Sequence, residues 1–243
     1  MHALVKYDSK NYIEILKELK NQEITPVFLF KIDFSDKPNI KLNLEKIKEI
    51  KKENKIKHSA IQIIIEKPDN NIISTINALK QDFDIIIGLG GLNKINRFFL
   101  EETQIDFLQD PQNSLFNPKI DFIHHFNSGI NEVLCKFAKD KEIGFLFSLN
   151  FLNNKTKYMA KELGRVNQNI VFAQKYKIPF YFNYIIEKLE DIKNKHELIW
   201  IMSLFSINNE NKSLSLITLK NKIDKNILKK SPEYINSQIK LKT

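Results

Sequence analysis

Hydrophobic and polar positions switch between two periods along the whole chain. Short unbroken apolar runs read as buried parallel strands; apolar residues every three or four positions read as helices packed on them. Residues 3–7 (ALVKY) open as a strand, and Tyr12, Ile15, Leu16 and Leu19 stripe the helix after it. A strand follows Pro26 (VFLFKID), then a helix with Leu44, Ile47 and Ile50 and a strand at 60–66 (AIQIIIE). Ile72, Ile73, Ile76 and Leu79 mark the next helix, 84–89 (DIIIGL) the next strand, and Ile95, Phe98 and Phe99 the helix beyond. A strand stub at 106–108, a loop at 111–118 and a short strand or insertion at 121–124 come next. The clearest unit is 126–149. Ser128 is the expected helix cap, Ile130, Val133, Leu134, Phe137 and Ala138 form the core stripe, and 143–149 is a buried strand. A long helix at 156–176, a strand at 179–183 (PFYFN), a helix around Trp200 and a last strand at 214–218 (LSLIT) complete the pattern.

Uninterrupted strand–helix alternation with roughly eight strands favours a closed (β/α) barrel over an open doubly wound sheet. The expected fold is therefore α/β: one distorted TIM-type barrel domain over residues 1–220, with a basic tail at 221–243. Length agrees, since 243 residues suit a single barrel of about 250. A hydrophobic fraction of 42% supplies a large core.

Charge changes the picture in one respect. Lys and Arg total 38 against 29 acids, a formal net charge of +9. Such an excess favours an anionic partner, most simply nucleic acid. Only Arg97 and Arg165 are arginines, so compositional bias accounts for part of the signal. The single cysteine, Cys135, excludes an internal disulfide and a thiolate cluster and fits a reducing compartment. The N-terminus shows no signal-peptide pattern and no apolar run approaches the ~20 residues of a membrane span. A cytoplasmic protein with no membrane partner is expected.

Candidate chemistry is sparse. The glycines in GLGGLN (88–93) lack the third glycine of a dinucleotide fingerprint, because Asn93 stands there; a tight strand-to-helix turn is the simpler reading. His124 and His125 are adjacent, and neighbours along a strand point to opposite faces, so they do not converge on one metal. Strand ends offer Asp33 and Glu66 without a histidine frame. Cys135 sits between core positions and reads as a small buried hydrophobe. What remains is positive charge on helix surfaces and element ends: Arg97, His125, Lys136, Lys139, Lys141, Arg165, Lys175 and Lys177. Such groups bind phosphate backbones.

Three segments together resemble a known family. The first is GG-x4-NR-x2-LE-x3-IDFL-x2-P, residues 90–111. The second is NSGINEVLCKFAKDKEIGFLFSL, residues 127–149. The third is Arg165 with AQKYKIPFYF, residues 173–182. The combination is similar to the archaeal ribonuclease P protein component 3 family, related to the thirty-kilodalton subunit of the eukaryotic enzyme. The resemblance implies a distorted TIM-type barrel related to the PHP metallohydrolases but without their metal chemistry. It implies a non-catalytic subunit that binds the ribonuclease P RNA and supports 5′-end maturation of precursor tRNA, cleavage being performed by the RNA. No cofactor would be bound by this chain; Mg²⁺ would serve the RNA. The implied partners are that RNA, precursor tRNA indirectly, and a small ferredoxin-like protein subunit in a heterodimer or heterotetramer. Positions matching basic family residues linked to RNA contact are Arg97, His125, Lys141 and Lys175, with histidine at 125 where arginine is more usual. Charge and placement add Lys136 and Arg165. The expected site is thus RNA-binding, with no catalytic and no metal-ligating residue. The competing expectation is a PHP-type metal-dependent phosphoesterase on the same barrel.

Overall fold

The computed structural model describes residues 1–7, 12–35, 39–113, 119–121, 126–153, 159–231 and 234. Seven parallel strands lie in chain order: β1 (His2–Lys6), β2 (Thr25–Asp33), β3 (Ser59–Ile64), β4 (Ile85–Leu89), β5 (Phe107–Gln109), β6 (Gly144–Ser148) and β7 (Phe180–Asn183). Helices follow them on the outside: α1 (Tyr12–Asn21), α2 (Ile40–Glu53), α3 (Asn70–Asp82), α4 (Asn93–Glu101), α5 (Glu132–Asp140), α6 (Met159–Tyr176), α7 (Lys195–Met202) and α8 (Asn209–Lys230). The sheet curls until its ends meet. Just past β7, Ile186 bridges Val5 in parallel: Lys6 N–H donates to Ile186 O at 2.9 Å and Ile186 N–H to Leu4 O at 3.0 Å. Closure is thus made by a single bridge where a regular barrel has an eighth strand.

Strand alternation sorts the core into two layers. Val27, Leu29, Ala60, Ile85, Ile87, Phe107, Leu146 and Tyr181 face the barrel interior. Phe28, Phe30, Ile61, Ile63, Ile86, Phe145, Phe147, Phe180 and Phe182 face the helices. Phe147 is fully buried, with the Phe182 ring centroid 5.2 Å from its own.

The expected strand at 214–218 is helix instead. Three apolar residues in a run of five cannot distinguish the two by themselves. Here the run lies inside the 22-residue α8, whose Ser215, Leu216, Leu219 and Ile223 recur at helical spacing on the buried side. Asn208 caps it by accepting from Asn211 N–H at 2.8 Å. α8 also crosses position 220, where a tail was expected, and stays regular to Lys230. It lies over the end where the strands begin, and Leu219 and Ile223 plug the interior layer there. The possible strand at 121–124 falls almost wholly outside the described residues.

The helix of the 126–149 unit, α5, is shifted as well. Its cap is Asn131, which accepts from Leu134 N–H at 2.9 Å, not Ser128. Ser128 is buried, accepting from Gln168 through Oγ and from Asn169 through its carbonyl. Because the helix starts later, Val133 is 57% exposed while Cys135 is fully buried beside Leu134 and Ala138.

Candidate nucleic-acid interface

The neighbouring helices α4, α5 and α6 form one wall of the barrel, and a single buried side chain sets its geometry. Asn96, in the first turns of α4, is fully buried. Its Oδ1 accepts from Gly91 N–H at 2.8 Å, and its Nδ2 donates to Pro111 O at 2.8 Å and Gly129 O at 3.0 Å. Three chain segments are therefore tied to one amide. Glycine is required at two of the contacts. A Cβ at Gly90 would stand 2.7 Å from Gln109 O, and Gly129 has φ +83°, with a Cβ there only 2.1 Å from Pro111 O. The GG, N, P and NSG letters of the first two sequence blocks are thus the parts of one junction.

Above this junction a groove of about 590 Å³ opens. Phe126, Ile130, Val133, Leu134 and Phe172 supply apolar lining, and Lys94, Arg97 and Gln168 polar lining. Arg97 is exposed and pairs with Glu101 on the next turn. That hydrogen bond raises the Arg97 pKa and lowers that of Glu101. Lys136 is exposed on α5. Lys175 on α6 reaches Glu132 on α5 at 2.7 Å, with both side chains more than half exposed. Hydrogen bonding to Glu132 raises its pKa. Solvent screens exposed pairs of this kind, so they contribute little and a phosphate can displace either carboxylate. Lys94, exposed at the groove, was not singled out in the sequence; its lone position in a polar run carried no signal.

The other expected site residues are placed differently. Arg165 turns inward: its guanidinium donates to Asp121 Oδ1 at 2.8 and 3.0 Å and to Lys119 O at 3.0 Å, and only 9% of the side chain is exposed. It ties α6 to residues 119–121. Lys141 crosses to the C-terminal end of α4, donating to Glu101 O and, at 3.3 Å, Thr103 O. A cation at a helix C-terminus satisfies orphan carbonyls and the dipole together. His125 lies outside the described residues. Arg97, Lys136 and Lys175 therefore share the wall, while Arg165 and Lys141 are held by the fold.

The barrel mouth, where TIM-type enzymes carry their chemistry, is filled by amides. Gln62 donates to Gln109 Oε1 at 2.7 Å, and Gln109 to Asp110 Oδ2 at 3.0 Å. Asp110 Oδ1 also accepts from Ser148 N–H at 2.8 Å. Burial pushes the Asp110 carboxyl up to about 7 against these donors. Asp33 and Glu66 are exposed, and Asp33 Oδ1 accepts from Ser35. Among the described residues no three His, Cys, Asp or Glu side chains gather to hold a metal ion. A zinc centre needs such a set, and the mouth does not fit one. Burial pushes the Cys135 thiol up to about 12, the opposite of an activated nucleophile.

Comparison with known proteins bears on this wall. Ribonuclease P protein component 3 of Methanocaldococcus jannaschii is 26% identical over 195 residues, covering 79% of this chain and 77% of that protein. The protein of the same name from Methanosarcina mazei is 22% identical over 185 residues, covering 74% and 71%. The sequence relatives of this chain are archaeal ribonuclease P proteins. The family resemblance of the three segments thus extends to most of the chain. A chain in the cryo-EM structure of archaeal ribonuclease P with mature tRNA superposes with a TM-score of 0.74 at 22% identity, over 100% of this chain and 98% of that one. The fold is that of the superposed chain. A zinc-bound amidohydrolase also superposes, at TM-score 0.56 and 11% identity, covering 95% of this chain and 66% of that enzyme. No protein-family profile matches the chain. No helix among the described residues is long and apolar enough to cross a membrane.

Proposed function

We propose that this chain is a non-catalytic protein subunit of a ribonuclease P ribonucleoprotein, binding its RNA and supporting removal of the 5′ leader from precursor tRNA. The carrying observation is the relationship to component 3 proteins over about four fifths of the chain. Support comes from the site. Exposed cations on adjacent helices suit a backbone of phosphates, and the half-exposed ring of Phe126 in the groove between them suits an unpaired base. The described residues of the amide-filled mouth include no cluster of three His, Cys, Asp or Glu of the kind a PHP-type phosphoesterase uses. The partners on this reading are the ribonuclease P RNA and other protein subunits, with a small ferredoxin-like subunit as the direct protein neighbour. Mg²⁺ acts in the RNA, and the compartment is the cytoplasm. Reconstitution tests it. Precursor tRNA cleavage by the RNA with its other subunits should rise severalfold on adding the chain, and the chain alone should cleave nothing. Chelator-sensitive cleavage by the protein alone would contradict the proposal and favour the phosphoesterase.

A further inference from the structure

A second concentration of lysines lies away from the α4–α6 groove. It borders α8, at the end of the barrel where the strands begin. Two cavities, of about 290 and 350 Å³, flank this helix and share Glu142 and Lys222 in their walls. Lys80, Lys141, Lys229 and Lys230 also line the first; Lys139, Lys177 and Lys225 also line the second. The cavity walls set two carboxylates against these eight lysines, Asp106 and Glu142, and a third, Asp84, stands 3.8 Å from Lys230 behind the wall.

Both carboxylates are already engaged. Asp106 accepts from Ile86 N–H at 2.8 Å and from Asn226 at 2.9 Å, with Lys222 at 3.5 Å. Glu142 accepts from Lys225 at 2.5 Å. Part of the lysine set has a structural purpose, because α3, α4, α5 and α6 all end near this face and their last carbonyls carry partial negative charge. Lys230 donates to Phe83 O at 2.8 Å, just past α3, and Lys222 donates to Glu142 O at 2.8 Å, just past α5. That purpose does not extend to Lys139, Lys177 and Lys229. All three are exposed, and none has a hydrogen-bond or ion-pair partner among the described residues. Burial meanwhile lowers the pKa of Lys80 and Lys222; Asp106 opposes that shift, and the neighbouring lysines add to it. An anion laid across the three free ammonium groups removes that imbalance.

We infer that the α8-bordered face is a second RNA-binding surface, on which Lys139, Lys177 and Lys229 hold backbone phosphates of the folded RNA independently of the α4–α6 wall. The inference rests on the proposed role as an RNA-binding subunit. Lysine ammonium groups are strongly hydrated point charges that bind phosphate without reading bases. The surface therefore positions the RNA and confers no sequence preference.

The test measures binding of the full chain to transcribed ribonuclease P RNA across a salt series. It compares wild type with the Lys139→Glu/Lys177→Glu/Lys229→Glu triple variant and with an Arg97→Glu/Lys136→Glu/Lys175→Glu variant of the wall. Each phosphate contact contributes about 0.7–0.9 to the slope of log affinity on log salt. The α8-face triple variant should flatten that slope by roughly 2–3 and weaken binding at least about tenfold at 0.1 M salt, with an unchanged circular dichroism spectrum. Should the Glu variant misfold, the Lys→Gln triple keeps the test, with the same flattening and a smaller loss. Wild-type slope and affinity in a folded triple variant, with the wall variant impaired, would overturn the second surface alone. Absence of RNA binding by wild type would overturn both it and the proposed function. Displacement of the RNA by millimolar inorganic phosphate at constant ionic strength would mark a single-phosphate site and also overturn the backbone reading.

Discussion

The wall of α4–α6 and the face bordered by α8 are both rich in cations, yet they hold them by different means. On the wall, Arg97 and Lys175 lean on carboxylates of Glu101 and Glu132 that are themselves at least partly exposed. On the α8 face, Lys222 and Lys230 lean on backbone carbonyls at element ends and stand farther, 3.5 and 3.8 Å, from the carboxylates of Asp106 and Asp84, while the ammonium groups of Lys139, Lys177 and Lys229 have no partner among the described residues. A carboxylate partner cancels a charge; a carbonyl partner only positions it. Equal numbers of lysines can therefore produce unequal fields, and the number of basic residues in a segment does not locate an RNA surface.

The sharpest way to break the contrast is to remove what builds the wall and leave the α8 face alone. Asn96→Ala deletes three buried hydrogen bonds joining Gly91, Pro111 and Gly129. Leaving those groups unpaired should cost about 3–5 kcal/mol in urea denaturation, at ~1–1.5 kcal/mol per bond plus desolvation. The wall's share of the RNA salt slope should fall more than that of the α8 face. Arg165→Ala comes next. It strands Asp121 and the Lys119 carbonyl and should cost about 2–4 kcal/mol, with the salt slope unchanged in the folded fraction. Lysine should not rescue it, because one ammonium cannot replace the fork. A flattened salt slope without loss of stability would move Arg165 back to the RNA surface.

How much of this was legible in the sequence differs between the two regions. The wall was announced by its helices, by the glycines at 90 and 91 and by Arg97. What could not be read was the purpose of Asn96, whose partners lie up to 33 residues away. Nor could the inward turn of Arg165 be read, since Asp121 is 44 residues away. Charge shows in composition, but its partner shows only in three dimensions. The α8 face was hidden for another reason. LSLIT reads as a strand when taken alone, and the lysines after it read as a tail. Only docking of Leu219 and Ile223 into the barrel makes both one helix. The barrel itself was legible throughout because every strand is an apolar run. Its closure by one bridge at Ile186 was not, because a bridge leaves no period.

Two smaller effects sharpen the contrast. Asp110 is held at a pKa of about 7, above its ordinary 3.8. Between those values the unfolded chain releases the proton and the native barrel keeps it. The contribution of Asp110 to stability therefore falls as pH rises from about 4 to 7, by up to a few kcal/mol, while His2, held at about 4 by burial, contributes in the opposite sense over the same range. The difference in denaturation midpoint between wild type and Asp110→Asn at pH 5 and at pH 8 checks the sign: wild type should lose stability relative to the variant as pH rises, with both cationic surfaces unchanged. Arg97→Glu, on an exposed helix position, should leave the urea midpoint almost unchanged. It should flatten the RNA salt slope by about 1, more than Lys141→Gln, whose ammonium is bound to Glu101 and Thr103 carbonyls.

The most direct measurement is recovery of the chain from its own cells under native conditions, followed by sequencing of the RNA that comes with it. One abundant structured RNA able to cleave precursor tRNA in Mg²⁺ is the expected result, lost from the preparation when the wall and the α8 face are both charge-reversed. Recovery of the folded chain with no enriched RNA, or with RNA retained undiminished after both reversals, would contradict it.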